Sequence, residues 1–192
     1  MTLGGELCAP WVRCVGESDG VRRGGEVKTN PKKERRFPMG NRAVVTFANM
    51  ADVEAHLVKD DKEFTDGRSV SGFVGANPHR VGVYLHWNGG KDSITAFCEA
   101  CRQLEFRGPV SDCYGVARFV QVVCNFFGGT DGLSVGVDTL EHLDTDNYDN
   151  GVFIVDDKWE VIGREFRRGA EQDDHDVEGM VRELVDKQTG IK

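Results

Sequence analysis

Apolar and polar residues alternate along residues 81–86, VGVYLH, so that Val81, Val83 and Leu85 share one face of an extended chain. A period of two predicts a strand with one face in a core. Asn88, Gly89 and Gly90 end it, because glycine reaches positive φ at no steric cost. Asp92 or Ser93 can then accept from the free N–H groups of the next helix. That helix, about residues 93–106, sets Ile94, Phe97, Cys98, Cys101 and Leu104 on one face. Gly108 and Pro109 stop it. A second helix opens at Ser111 or Asp112 and carries DCYGVARFVQVVCNFF. It is apolar around so much of its circumference that it is expected at the centre of the helical layer.

The remaining pattern is shorter in period. Residues 42–47 and 133–137 read as strands, and residues 152–155 and 159–162 as the arms of a hairpin turning through Asp156, Asp157 and Lys158. Residues 177–187 form an amphipathic helix with Met180, Val181, Leu184 and Val185 on one side. Residues 49–80 are charged and rich in glycine and serine, with one or two helical turns at 51–59 placing Val53, Leu57 and Val58 inward, and Pro78 barring a regular element. This is a long loop excursion between two strands that pair as neighbours. The expected fold is α+β: an antiparallel sheet of four to five strands packed with two to three helices, a single domain over residues 39–187.

Residues 1–38 show no periodicity to bury and read as a disordered basic leader. Met39 opens the ordered pattern and is the expected native start. Residues 1–38 hold eight basic and five acidic side chains, a surplus of three positive charges, so the whole-chain charge of −8 leaves −11 on the rest. A body this acidic repels nucleic acid and attracts the basic protein surfaces that bind it, besides gaining solubility. No run approaches 18 apolar residues, and the N-terminus lacks the order of a signal peptide, so a cytoplasmic protein is expected. In that compartment the six cysteines are reduced thiols, with Cys98, Cys101, Cys113 and Cys124 among apolar neighbours. The CxxC of Cys98 and Cys101, with Cys113 or His86, is the one zinc pattern, and it lacks the glycines of a knuckle.

Three groups could carry chemistry. His86, with Trp87 and Asn88, closes a strand at a glycine turn, where a histidine can act as a base or pack on an aromatic neighbour. Asp112, Cys113 and Tyr114 begin the second helix, whose dipole would lower a thiol pKa. This opening faintly resembles the DC-x-G-F of the NlpC/P60 cysteine peptidases, but the downstream histidines His142 and His175 begin no strand. Asp112 as an N-cap over a packed thiol is the alternative. The loop Asp144, Asp146, Tyr148, Asp149, Asn150 has carboxylates that could hold Mg²⁺ for phosphodiester chemistry. It is not an EF-hand, since Tyr148 and Asp149 fall at the third-ligand and glycine positions.

The segments MGNRAVVTF, GVYLHWNGGKDSITAF, SDCYGVARFVQVVCNFFGG, LSVGVDTLEHLDTDNYDNGVFIVDDKWEVIGRE and DVEGMV together resemble a family of small proteins carried by phages, prophages and integrative elements of Gram-positive bacteria. Genes of that family sit beside inhibitors of host defence, anti-CRISPR proteins among them. The resemblance covers residues 39–180 except 49–80, which typical members replace with a short hairpin turn. LHWNGG and DNYDNGV are its specific motifs, and neither brings an established active site. It implies an accessory protein of the host cytoplasm that binds the basic groove of a defence effector, such as a Cas nuclease or its guide RNA complex. No cofactor is expected for that reading, and composition gives no membrane partner. The candidate binding residues are Trp87, Asn88, Asp92, Tyr114, Asp144, Asp146, Tyr148, Asp149 and Asn150. Two enzymes are the alternatives. One is a small nuclease using His86 and Mg²⁺ on Asp144, Asp146 and Asp149, and the other is a hydrolase using Cys113 with Asp112. The oligomeric state is left open.

Overall fold

β1 (Ala43–Phe47) is buried at all five positions because it is the middle strand of a five-stranded sheet ordered β3-β2-β1-β4-β5. A computed structural model of the chain describes residues 41–58, 69–128, 134–166 and 176–190. The leader, Met39 and the acidic stretch 169–175 lie outside the described residues. β2 (Val81–Leu85) pairs antiparallel with β1 and with β3 (Val135–Thr139), and β4 (Val152–Val155) with β5 (Val161–Glu165).

The α+β class holds, with one departure from an all-antiparallel sheet. β1 and β4 run parallel, Val45 opposite Phe153. The cause is the segment 140–151. β3 ends beside the start of β2, and the chain then climbs the sheet, burying Leu140 against Val44 and Val152. β4 therefore starts where β1 starts.

Alternation divides the sheet residues between two layers. Ala43, Val45, Phe47, Val83, Leu85, Phe153 and Val155 face the three long helices, α3 (Lys91–Gln103), α4 (Cys113–Phe127) and α5 (Val177–Thr189). Phe119 is the hinge of this layer, stacked on Trp159 and edge-on to Phe47 and Phe97. The helix at the centre is α3, not α4. Eight α3 residues are buried, whereas α4 buries Gly115, Phe119, Val122 and Val123 and leaves Val116, Val120, Cys124 and Phe127 half-covered.

The opposite face is covered by the excursion, which is not a bare loop. Its short helices α1 (Met50–Glu54) and α2 (Phe73–Ala76), with the bridge residue Val70 between them, bring Val53, Val70 and Phe73 onto Ile154 and Ile162. Leu57 packs there too, while Val58, expected inward, is exposed. Val70 N–H donates to Arg164 O, so the excursion also covers the outer edge of β5. No helix among the described residues is long and apolar enough to cross a membrane.

Candidate functional site

One end of the sheet gathers three segments far apart in sequence. β1 and β4 begin there and β2 ends there, which joins Asn41 and Arg42, the turn 86–90, and the loop 144–151. The turn is held by close approach. Asn88 has φ 55°, and Gly89 N–H donates to Asn41 O at 2.7 Å. A Cβ on Gly89 would stand 2.6 Å from both Ala43 N and Asn41 O, so only glycine fits. Gly90 is the N-cap of α3, two residues ahead of the expected start. Asp92 Oδ1 accepts from Ser93 N–H at 2.6 Å and is buried, which makes it part of the helix start and not of an exposed surface.

The loop is organised by Asn147, which is 1% exposed. Its Oδ1 accepts from the N–H groups of Asp149, Asn150 and Gly151, and its Nδ2 donates to Asp144 O and Gly151 O. Asn150, also buried, donates to Asn41 Oδ1 and to Arg42 O, and its own carbonyl accepts from Arg164 Nε. Arg164 in turn lies between the rings of Phe153 and Phe166, 4.6 Å from each centroid. Asn41, Arg42, Asn147 and Arg164 carried no signal in the sequence beyond their motifs. An Asn followed by a residue with φ > 0, here Tyr148 at 58°, is the Asx-turn chemistry that marks such a hub.

Arg42 binds the two flanking carboxylates, Asp149 through Nε at 2.7 Å and Asp144 through Nη1 at 3.5 Å. The Asp149 bond raises the guanidinium above its ordinary pKa. Beside it, burial holds the Tyr84 phenol above the usual range, with Arg42 opposing and the two aspartates reinforcing. Tyr84 OH is 3.1 Å from His86 Nδ1, and the His86 ring meets Trp87 edge-on at 5.0 Å. Among the described residues no carboxylate bonds His86. No group of three or more His, Cys, Asp or Glu side chains there is placed to hold a metal ion. Mg²⁺ on Asp144 and Asp149 would require Arg42 to release them. Asp146 is exposed.

Cys113 and Tyr114 stand at the opposite end of the sheet. The N–H groups of Val110 and Ser111 bind Asp157 in the β4–β5 turn, anchoring the start of α4 there. The candidate catalytic residues His86 and Cys113 are therefore separated by the length of the strands. Asp112 is the N-cap, accepting from Tyr114 N–H at 2.8 Å, and Arg107 holds its carboxyl below the ordinary range. Cys113 is exposed, and His142 is spent on Asp138 and Thr139. An open cleft of about 580 Å³ lies nearby, lined by Phe106, Arg107, Tyr114 and Arg118. Cys98 and Cys101 are core thiols whose pKa values burial pushes up.

No family model matches the chain, and neither the curated proteins nor the solved structures contain a match to it.

Proposed function

We propose that the protein is an accessory protein of a phage or mobile element that inhibits a nucleic-acid-based host defence by binding the basic groove of the effector. The observation that carries this reading is at the sheet end. Trp87, 44% exposed, and Tyr148, 60% exposed, project from two segments pinned to the same Asn41–Arg42 joint, with Asp144 and Asp146 beside Tyr148. Exposed aromatics on a rigid base serve as interface anchors, and the carboxylates supply attraction to cations. A charge of −11 on residues 39–192 works in the same direction at longer range.

The test mixes the purified chain with a guide-loaded Cas effector at rising NaCl and reads both co-elution and guide length. The expected result is a stoichiometric complex that weakens steeply between about 0.1 and 0.5 M salt, with the guide intact. Absence of a complex with every effector type of the host removes the reading. A nuclease is the second reading, favoured by His86, Asp144 and Asp149 sharing one sheet end. Its signature is a shortened guide, protected by EDTA and by Asp149→Ala.

A further inference from the structure

The two edges of the sheet are treated differently. At β5 the excursion supplies Ser69 and Val70 as a further pairing. At β3 no described segment does so. His86 N–H donates to Ser134 O and Leu140 N–H to Arg80 O, and Tyr84 pairs with Gly136 and Gly82 with Asp138. In an antiparallel ladder the residues that exchange hydrogen bonds alternate, so Ser134, Gly136, Asp138 and Leu140 bond β2. Val135, Val137 and Thr139 direct their N–H and C=O groups away from the sheet.

Thr139 is already satisfied, its N–H by the Asp138 carboxylate at 2.7 Å and its C=O by His142 N–H at 3.0 Å. The N–H and C=O groups of Val135 and Val137 have no partner among the described residues. Val137 is 52% exposed and Val81 43% exposed, an apolar corner on the helical side that the helices do not cover. Bare strand edges of this kind are templates for another strand.

We propose that β3 pairs antiparallel with β3 of a second copy of this chain, about a two-fold axis at Gly136. The register is chosen by the chain itself. Centred on Gly136, Val135 of each copy bonds Val137 of the other, which uses all four groups that have no partner among the described residues. Gly136 meets Gly136 at the close, non-hydrogen-bonded position, where Cα atoms approach to about 4.5 Å. Asp138 then faces Ser134 of the second copy, and Val137 gains Val135 as a cross-strand neighbour. Moving the axis to Asp138 would oppose two carboxylates and aim Val137 at the occupied groups of Thr139. The result is a ten-stranded sheet. A charge of −8 on each copy opposes the pairing, so salt strengthens it, the reverse of the effector complex. This pairing does not depend on the proposed function.

Sedimentation of the full chain at rising concentration tests it, together with Val137→Pro, which deletes an outward N–H that β2 does not use. The wild type is expected to approach twice the chain mass of 21.3 kDa, and the variant to stay at it. A wild type that keeps the single-chain mass over the whole range, or a folded variant that associates equally well, overturns the proposal. Should Val137→Pro fail to melt cooperatively, amide exchange on the wild type decides. Val135 and Val137 are expected to slow about tenfold from dilute to concentrated solution, and unchanged exchange refutes the pairing.

Discussion

Asn147→Ala lowers the melting temperature by about 10 °C, more than any surface change at the same end of the sheet. The side-chain amide is buried and makes five hydrogen bonds, three accepted from the backbone N–H groups of Asp149, Asn150 and Gly151 and two donated to backbone carbonyls. Alanine leaves these groups to find water inside a packed loop. At about 1 kcal/mol net for each, reduced because part of the loop can open to solvent, the loss is about 3 to 4 kcal/mol. The exposed neighbour offers the control: Asp146→Ala should shift the transition by less than about 2 °C. A thermal melt by circular dichroism reads both. Equal melting temperatures for the two variants would show that the loop is not held by Asn147.

Gly89→Ala destabilises by about 3 kcal/mol, for a different reason. Its added Cβ meets two backbone atoms, Ala43 N and Asn41 O, at 2.6 Å, and also the Ala43 side chain at 2.7 Å. None of these is the end of a flexible side chain. The start of β1 must part from the turn, which weakens the 2.7 Å bond from Gly89 N–H to Asn41 O. A Cβ added to Gly75, in α2, would meet nothing within 4 Å, and the backbone there has no positive φ, so Gly75→Ala should be neutral within about 0.5 kcal/mol. Urea unfolding of both variants gives the comparison. A Gly89→Ala chain as stable as wild type would mean the turn yields, and with it the rigidity assigned to Trp87.

Both effects fall within the LHWNGG and DNYDNGV motifs, and they give those motifs a physical meaning. The glycine and the two buried asparagines are joints between segments. The residues the joints leave in solvent are Trp87, Tyr148, Asp144 and Asp146.

Local pattern carried most of the elements. The alternation through Val81, Val83 and Leu85 gave β2, and the capping chemistry of Asp112 gave the start of α4, because each signal is contained in a few neighbouring residues. The excursion returning to a neighbouring strand was also legible. Strand direction was not. Val152–Val155 is apolar on both faces, so nothing in it distinguishes a parallel partner, and only the path of residues 140–151 sets the direction. The rank of the helices failed for a related reason. The apolar circumference of α4 measures what it could bury, whereas α3 holds the centre by packing against both α4 and α5, with Ser93 and Asp92 buried among its apolar residues.

The site was legible as a set of motifs and illegible as an arrangement. His86, Trp87, Asn88 and the 144–150 loop do converge. Cys113 and Tyr114 do not join them, because α4 starts beside the β4–β5 turn. Arg42 drew no attention at the head of a strand, yet it holds both Asp144 and Asp149.

The most direct measurement is the affinity of a guide-loaded effector for the double variant Trp87→Ala/Tyr148→Ala, by calorimetry beside a thermal melt of the free chain. Tyr148 is 60% exposed and Trp87 44%, so the melt should stay within about 4 °C of wild type. Binding should weaken about a hundredfold, the loss expected when two central aromatic anchors are removed. An unchanged affinity in a variant that melts like wild type would contradict the account, since the sheet end would then present nothing that a partner uses.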